Sequence, residues 1–152
     1  MSNKLIILGA DHGGFLLKNE IREYLKQNGY TVEDLGTNSA DSVNYANIAA
    51  EVSHEVAARG ATGILVCGTG IGMSIAANKV KGIRAAVCSE YFSAKYTRLH
   101  NDANILCLGA RVLGSGLALE LVDVFLNTEF EGGRHVERIA CISKIEDEEH
   151  IG

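Results

Sequence analysis

Short β-branched or leucine-rich runs alternate with helix-period stretches five times along this chain, and that alternation constrains its fold more than any other feature. The runs fall at 4–9 (KLIILG), 30–35 (YTVEDL), 63–67 (GILVC), 83–88 (IRAAVC) and 104–108 (NILCL), each bounded by glycine or a polar cluster. Between the first two, Leu17, Ile21, Tyr24 and Leu25 fall at i, i+4, i+7 and i+8 of 15–28, with Gly29 placed to cap the helix end. Residues 45–59, stopped by Gly60, and then 71–80, 90–100 and 114–127 repeat the pattern. Near-continuous apolar strands separated by helices imply a five-stranded parallel sheet covered on both faces. Right-handed crossovers make that a three-layer α/β/α Rossmann-like domain, with ligands bound outside the carboxyl ends of the strands. The segment from 128 onward differs: Glu131-Gly132-Gly133 breaks the chain, His135 to Ile145 forms a last helix, and an acidic tail follows. That C-terminal helical arm either packs on another subunit or folds back on its own sheet.

At 152 residues, with 47% hydrophobic and 22% charged, the chain reads as one domain over 1–152. A formal charge of −5 and the lack of any basic run argue against nucleic acid or an anionic membrane as partner. No apolar run approaches the ~18–20 residues that span a bilayer, and no signal-peptide layout precedes Lys4, so a cytoplasmic location is expected. Cys67, Cys88, Cys107 and Cys141 are too far apart for CxxC metal or redox spacing and read as free thiols. Seventeen glycines and no proline mean that turns rely on glycine, asparagine and aspartate, so the chemistry is sought at the glycines.

After the first strand stands Asp11-His12-Gly13-Gly14. The carboxylate either orients the imidazole beside a helix start or is a plain helix cap next to an incidental histidine. After the third strand comes Cys67-Gly68-Thr69-Gly70-Ile71-Gly72-Met73-Ser74, running into a helix. Three glycines in five positions let backbone amides converge on one anionic oxygen. GK[ST] is absent and Met73 replaces the third glycine of a dinucleotide fingerprint, so this cradle holds either a phosphate or an oxyanion that forms during reaction. Cys67 separates those options: amide donors and the helix start favour its thiolate, which can act as base or nucleophile. The other three cysteines read as small core residues. His100 and Asn101 close the fourth helix, where His100 alone reads most simply as a solvent-facing histidine and Asn101 can bond a sugar hydroxyl. Arg111 follows the fifth strand, and Arg134 and Arg138 share one helix face, either as a phosphate clamp or as an ordinary solvated face.

GADHGGF at 9–15, DLGT at 34–37, CGTGIGMSIAANK at 67–79, GIRAAVCSE at 82–90, HNDANILCLGAR at 100–111 and EGGRH at 131–135 together resemble the B-type ribose-5-phosphate isomerases, the family that also contains the subunits of galactose-6-phosphate isomerase. The resemblance covers nearly the whole chain. It implies an aldose–ketose isomerase, without metal or other cofactor, that interconverts ribose 5-phosphate and ribulose 5-phosphate. In that reading Cys67 moves a proton from C2 to C1 through an enediolate, and Thr69 and His100 open the sugar ring. Amides of Gly68, Gly70, Ile71 and Gly72, in the loop that runs on to Ser74, stabilise the enediolate oxygen. Asp11, His12, Tyr45 and Asn101 hold the substrate, and His12, Arg111, Arg134 and Arg138 take its phosphate. The resemblance also implies sites built from two subunits, hence a homodimer or a pair of dimers.

The resemblance sends the phosphate to the arginines and the reacting end to the cradle, which agrees with the need for base and oxyanion donors about 3 Å from one reacting region. One departure stands out. The family usually shows proline after the tyrosine, often with aspartate before it, whereas this chain reads Asn44-Tyr45-Ala46, so a looser loop at Tyr45 is expected. Two other functions fit the motifs less fully: an isomerase (or isomerase subunit) for galactose 6-phosphate or allose 6-phosphate, and a non-catalytic module that binds a nucleotide or sugar phosphate through the 68–72 loop. Simple binding has no need of a thiol.

Overall fold

The computed structural model describes residues 4–150. Five strands, β1 (Leu5–Ala10), β2 (Thr31–Asp34), β3 (Thr62–Cys67), β4 (Ala85–Val87) and β5 (Ile105–Gly109), form one parallel sheet in the order β2-β1-β3-β5-β4. The helices are α1 (Phe15–Gln27), α2 (Tyr45–Arg59), α3 (Ile71–Ala77), α4 (Tyr91–Asn101), α5 (Ser115–Asn127) and α6 (Arg134–Glu149).

Alternate strand residues face opposite ways, so the sheet divides the core in two. Ile6, Leu8, Ile64, Val66, Leu106 and Leu108 pack against α1, α4 and α5. Ile7, Leu65, Cys67, Ile105 and Cys107 pack against α2 and α3. Because the central strands are covered on both faces, nearly every residue in them is apolar, which is why they read as continuous runs rather than alternating ones.

The chain leaves β1 for the β2 edge and then crosses over to β3, so the connections part in opposite directions between β1 and β3 and open a crevice at their carboxyl ends. Asp11 and Cys67 stand on either side of that crevice. The C-terminal helix is longer than its sequence pattern suggested, since Glu146 to Glu149 continue it; Ile151 and Gly152 lie outside the described residues. It touches its own domain at both ends. The Glu131 amide before it donates to the Leu99 carbonyl, and near its end Glu146 accepts from the Gly82 amide while Lys81 pairs with Asp147 at 2.9 Å. Between these anchors a groove of about 530 Å³ runs past Ile83, Ala85, Ile142 and Ile145. No helix among the described residues is long and apolar enough to cross a membrane.

Candidate active site

Cys67 ends β3 as a buried side chain, and its Sγ accepts a hydrogen bond from the Gly70 amide at 3.1 Å. The turn that makes this possible bends at Gly70 with φ of +80°, a conformation that an L side chain disfavours. One cradle amide is thus aimed at the sulfur itself, where it stabilises negative charge. The next side chain folds the loop further: Thr69 Oγ1 accepts from the Ile71 amide at 3.2 Å, leaving its hydroxyl at the exposed rim. Ser74 is buried and its hydroxyl donates to the Ile71 carbonyl at 2.8 Å, so its polar atom is engaged inside α3 rather than presented to the cradle.

Burial, with Glu90 nearby, pushes the Cys88 thiol up to about 11, and complete burial pushes Cys107 up as well, so both stay protonated core thiols. Cys141, expected in the core, is exposed on α6, whose contact with the sheet is too slight to bury that face.

Asp11 is buried at the mouth of β1 and its Oδ1 accepts from the Gly13 amide at 2.9 Å. It does not cap α1, whose N-cap is Gly14 with no side-chain bond, so the plain-cap reading falls. His12 Nδ1 accepts from the Val43 amide at 3.2 Å, which leaves Nε2 to carry the ring proton as a donor toward a ligand. Arg111 reaches back over the loop: a Cβ built on Gly68 would lie 3.4 Å from its Nη1, and one built on Gly13 would lie 3.4 Å from Asp11 Oδ1 and 3.8 Å from Arg111 Nη2. Asp11, Gly68 and Arg111 therefore converge on one spot.

Tyr45 joins them from the start of α2. Its ring lies over Gly72, where an added Cβ would come within 2.6 Å of Tyr45 Cε1. The segment is held more firmly than the missing proline suggested, because Asn44 caps α2 and its Oδ1 accepts from the Ala46 amide at 3.0 Å. Proline has no such N–H to give.

The remaining candidates lie elsewhere. Helix α4 leaves the carboxyl end of β4 and returns antiparallel to the strands, so His100 and Asn101 emerge at the opposite, amino end of the sheet. There the Asn101 carbonyl accepts from Arg84 Nε at 2.8 Å, just before β4. With about 3.3 Å per strand residue, a strand the length of β5 puts His100 on the order of 16 Å from Cys67. Arg134 and Arg138, exposed at the start of α6, belong to the His100 end, because the His135 ring between them stacks on that of His100 with centroids 4.1 Å apart. Sequence reasoning left His135 without a role, and its adjacency to Arg134 was the available signal.

His100, Glu131 and His135 bring potential ligand atoms within 4.8 Å of one another. A metal ion must lie close to the plane of each imidazole that binds it, and two rings stacked with only 15° between their planes cannot both meet that condition. Arg134 and Arg138 on the same helix add like charge. The arrangement does not suit a metal centre.

A family model described as Ribose/Galactose Isomerase matches residues 6–142. Ribose-5-phosphate isomerase B of Escherichia coli is 49% identical over 144 residues, covering 94% of this chain and 97% of that protein. The structure of ribose-5-phosphate isomerase B from Clostridium thermocellum superposes with a TM-score of 0.94 at 51% identity, covering 95% of this chain and 99% of the other. That of the Mycoplasma genitalium enzyme with bound ribulose 5-phosphate gives 0.94 at 40% identity over 97% and 99%.

Proposed function

The chain belongs to the ribose/galactose isomerase family, and from that premise we propose that it interconverts ribose 5-phosphate and ribulose 5-phosphate through an enediolate, with Cys67 as the base. The observation that carries this reading is the Gly70 amide aimed at Cys67 Sγ in the crevice between β1 and β3. Once the sugar ring is open, the Cys67 thiolate takes the proton from C2; the C–H pair becomes the C1–C2 double bond and the former carbonyl pair moves onto O1. Amides of the 68–72 loop stabilise the charge that develops there. The proton then returns from sulfur to C1 as the proton on O2 passes to O1, and the ketose results. Asp11 and Tyr45 hold the hydroxyls, and Thr69 and His100 open the ring.

Such a site needs His100, Asn101, Arg134 and Arg138 beside Cys67, and one chain holds them a strand length away. The reading therefore makes the working unit a pair of copies, each lending its His100 end to the other's Cys67 end. His12 and Arg111 of one copy meet the substrate phosphate together with Arg134 and Arg138 of the second. The reading puts the protein in the cytoplasm, where phosphorylated sugars are made and used.

The test is proton exchange. Wild type and Cys67→Ser are incubated in D2O with ribose 5-phosphate and, separately, with allose 6-phosphate and galactose 6-phosphate, and ketose formation and deuterium uptake are followed by NMR. Serine is a far weaker base of nearly the same size, so kcat on ribose 5-phosphate falls by at least about 10²-fold. Turnover of a hexose phosphate alone would replace the substrate assignment; turnover independent of Cys67 would remove the base.

A further inference from the structure

Four rings lie in a row from α4 to α6. Phe92 stacks on Tyr96 with centroids 4.1 Å apart and 20° between planes, Tyr96 meets His100 edge to face at 5.1 Å, and His100 lies flat on His135 at 4.1 Å and 15°. The first three are spaced i, i+4, i+8 along one helix face, whereas the last crosses from another element. His135 ends the row and is 5% exposed, although the rest of α6 is largely open to solvent.

The way His135 is buried is informative. Its Nε2 is buried with no hydrogen-bond partner among the described residues, and the nearest carboxylate oxygen, Glu131 Oε1, stands 3.7 Å away, beyond hydrogen-bond reach. An imidazole kept for hydrogen bonding would have its nitrogens satisfied. What His135 does present is a ring face, and His100 covers it. Burial pushes its pKa below the ordinary histidine range, and His100, Arg134 and Arg138 push the same way against Glu131, so near neutral pH the ring stacked on His100 is uncharged.

From this geometry we infer that His135 is a positioning residue for His100: together with Tyr96, which meets the same ring edge to face, it holds the plane of the His100 ring for the ring-opening step. The inference rests on the proposed ring-opening role of His100. It concerns that step alone, because the proton transfer at C2 is assigned to Cys67 and to no ring of the row.

Ribulose 5-phosphate provides the means to separate the steps. Its O5 carries the phosphate, so it forms no ring, and enediolate formation from it requires the Cys67 base but no ring opening. Consumption of ribose 5-phosphate and solvent-deuterium uptake at C1 of ribulose 5-phosphate are measured for wild type, His135→Ala, His135→Phe and His100→Ala. We expect His135→Ala to lower kcat on ribose 5-phosphate about tenfold, a modest share of the ~10²–10⁴ an acid–base group supplies, while deuterium uptake stays within about threefold of wild type. His135→Phe, which keeps a flat ring and removes the unpartnered nitrogen, recovers most of the loss. Unchanged ribose 5-phosphate turnover in His135→Ala, an equal fall in uptake, or no recovery by phenylalanine would each overturn the inference. His100→Ala reads the premise: if it slows both measurements alike, or neither, the ring-opening role falls and the inference with it. If it slows ribose 5-phosphate alone while His135→Ala changes nothing, the inference fails by itself.

Discussion

At Gly72 a tyrosine ring occupies the space where a side chain would stand. The contact joins the start of α2 to the start of α3 and sets Tyr45 over the same loop that holds Cys67. A methyl group there would overlap the ring, and the half-exposed Tyr45 is free to swing outward rather than compress the backbone. We therefore expect Gly72→Ala to leave the fold intact and raise KM for ribose 5-phosphate by about tenfold, the cost of one lost substrate contact, with a smaller change in kcat. Steady-state kinetics check this, and an unchanged KM would take Tyr45 out of substrate binding. Glycine at this position is legible as part of a loop that needs close approach, but the ring that approaches is 27 positions away in sequence. Neighbouring residues in the chain give no hint of it.

Within α1, Lys18 is fully buried, which an amphipathic reading assigns only to apolar residues. Its Nζ donates to both Asp34 oxygens at 2.7 and 2.8 Å, to the Thr37 carbonyl at 2.8 Å and to Asn38 Oδ1 at 2.7 Å. The lysine thus ties α1 to the end of β2 and to the segment after it, whose Gly36 carbonyl and Thr37 amide bond the backbone of Ala10 beside Asp11. Lys18 sits three residues before Ile21 and seven before Leu25, on the apolar stripe, and that position was the signal available in the sequence. Removing one partner of a buried pair typically costs about 3–5 kcal/mol, and we expect Lys18→Met to lie near 3 because Arg22 and the Gly36 amide still bond Asp34. Urea unfolding measures the loss.

The same pair sets the acid limit. Burial pushes the Asp34 carboxyl up, yet hydrogen bonds from Lys18, the Gly36 amide and Arg22 outweigh it and hold it below the ordinary carboxylate range. The unfolded chain, with aspartate near pH 3.9, then binds this proton first. The stabilisation is present above about pH 4 and is lost as pH falls through the lower folded value. Asp34→Asn removes that dependence, so its unfolding free energy should fall less steeply between pH 5 and 3, an interval of about two units. A wild-type slope in the mutant would show that other carboxylates set the limit.

Across the whole molecule, the parallel sheet separates the candidate residues into two groups, and pairing of copies becomes a measurable matter. If each copy supplies His100 to the other's Cys67, Cys67→Ser and His100→Ala are each inactive alone but complement when mixed. A mixed dimer then holds one site with both wild-type residues and one with neither. Random reassociation of equal amounts makes half the dimers mixed, so activity recovers to about one quarter of wild type. Recovery is read after unfolding and refolding the mixture, and its absence would mean that each site draws on a single chain.

The order of strands and helices, the glycine loop and the candidate thiol in it were all determined by the sequence, because each rests on interactions within a few residues: hydrophobic period, turn dihedrals, and amides converging in one tight loop. Helix ends moved by a residue or a few, and the last helix ran on through its acidic stretch. Only the tertiary structure decided that Lys18 is buried, that Tyr45 covers Gly72, that His135 lies flat on His100, and that His100 and Cys67 stand at opposite ends of the sheet. Those facts follow from how α1, α4 and α6 pack across distances the local pattern does not encode. A parallel strand and the helix that returns antiparallel to it send their C-terminal residues in opposite directions.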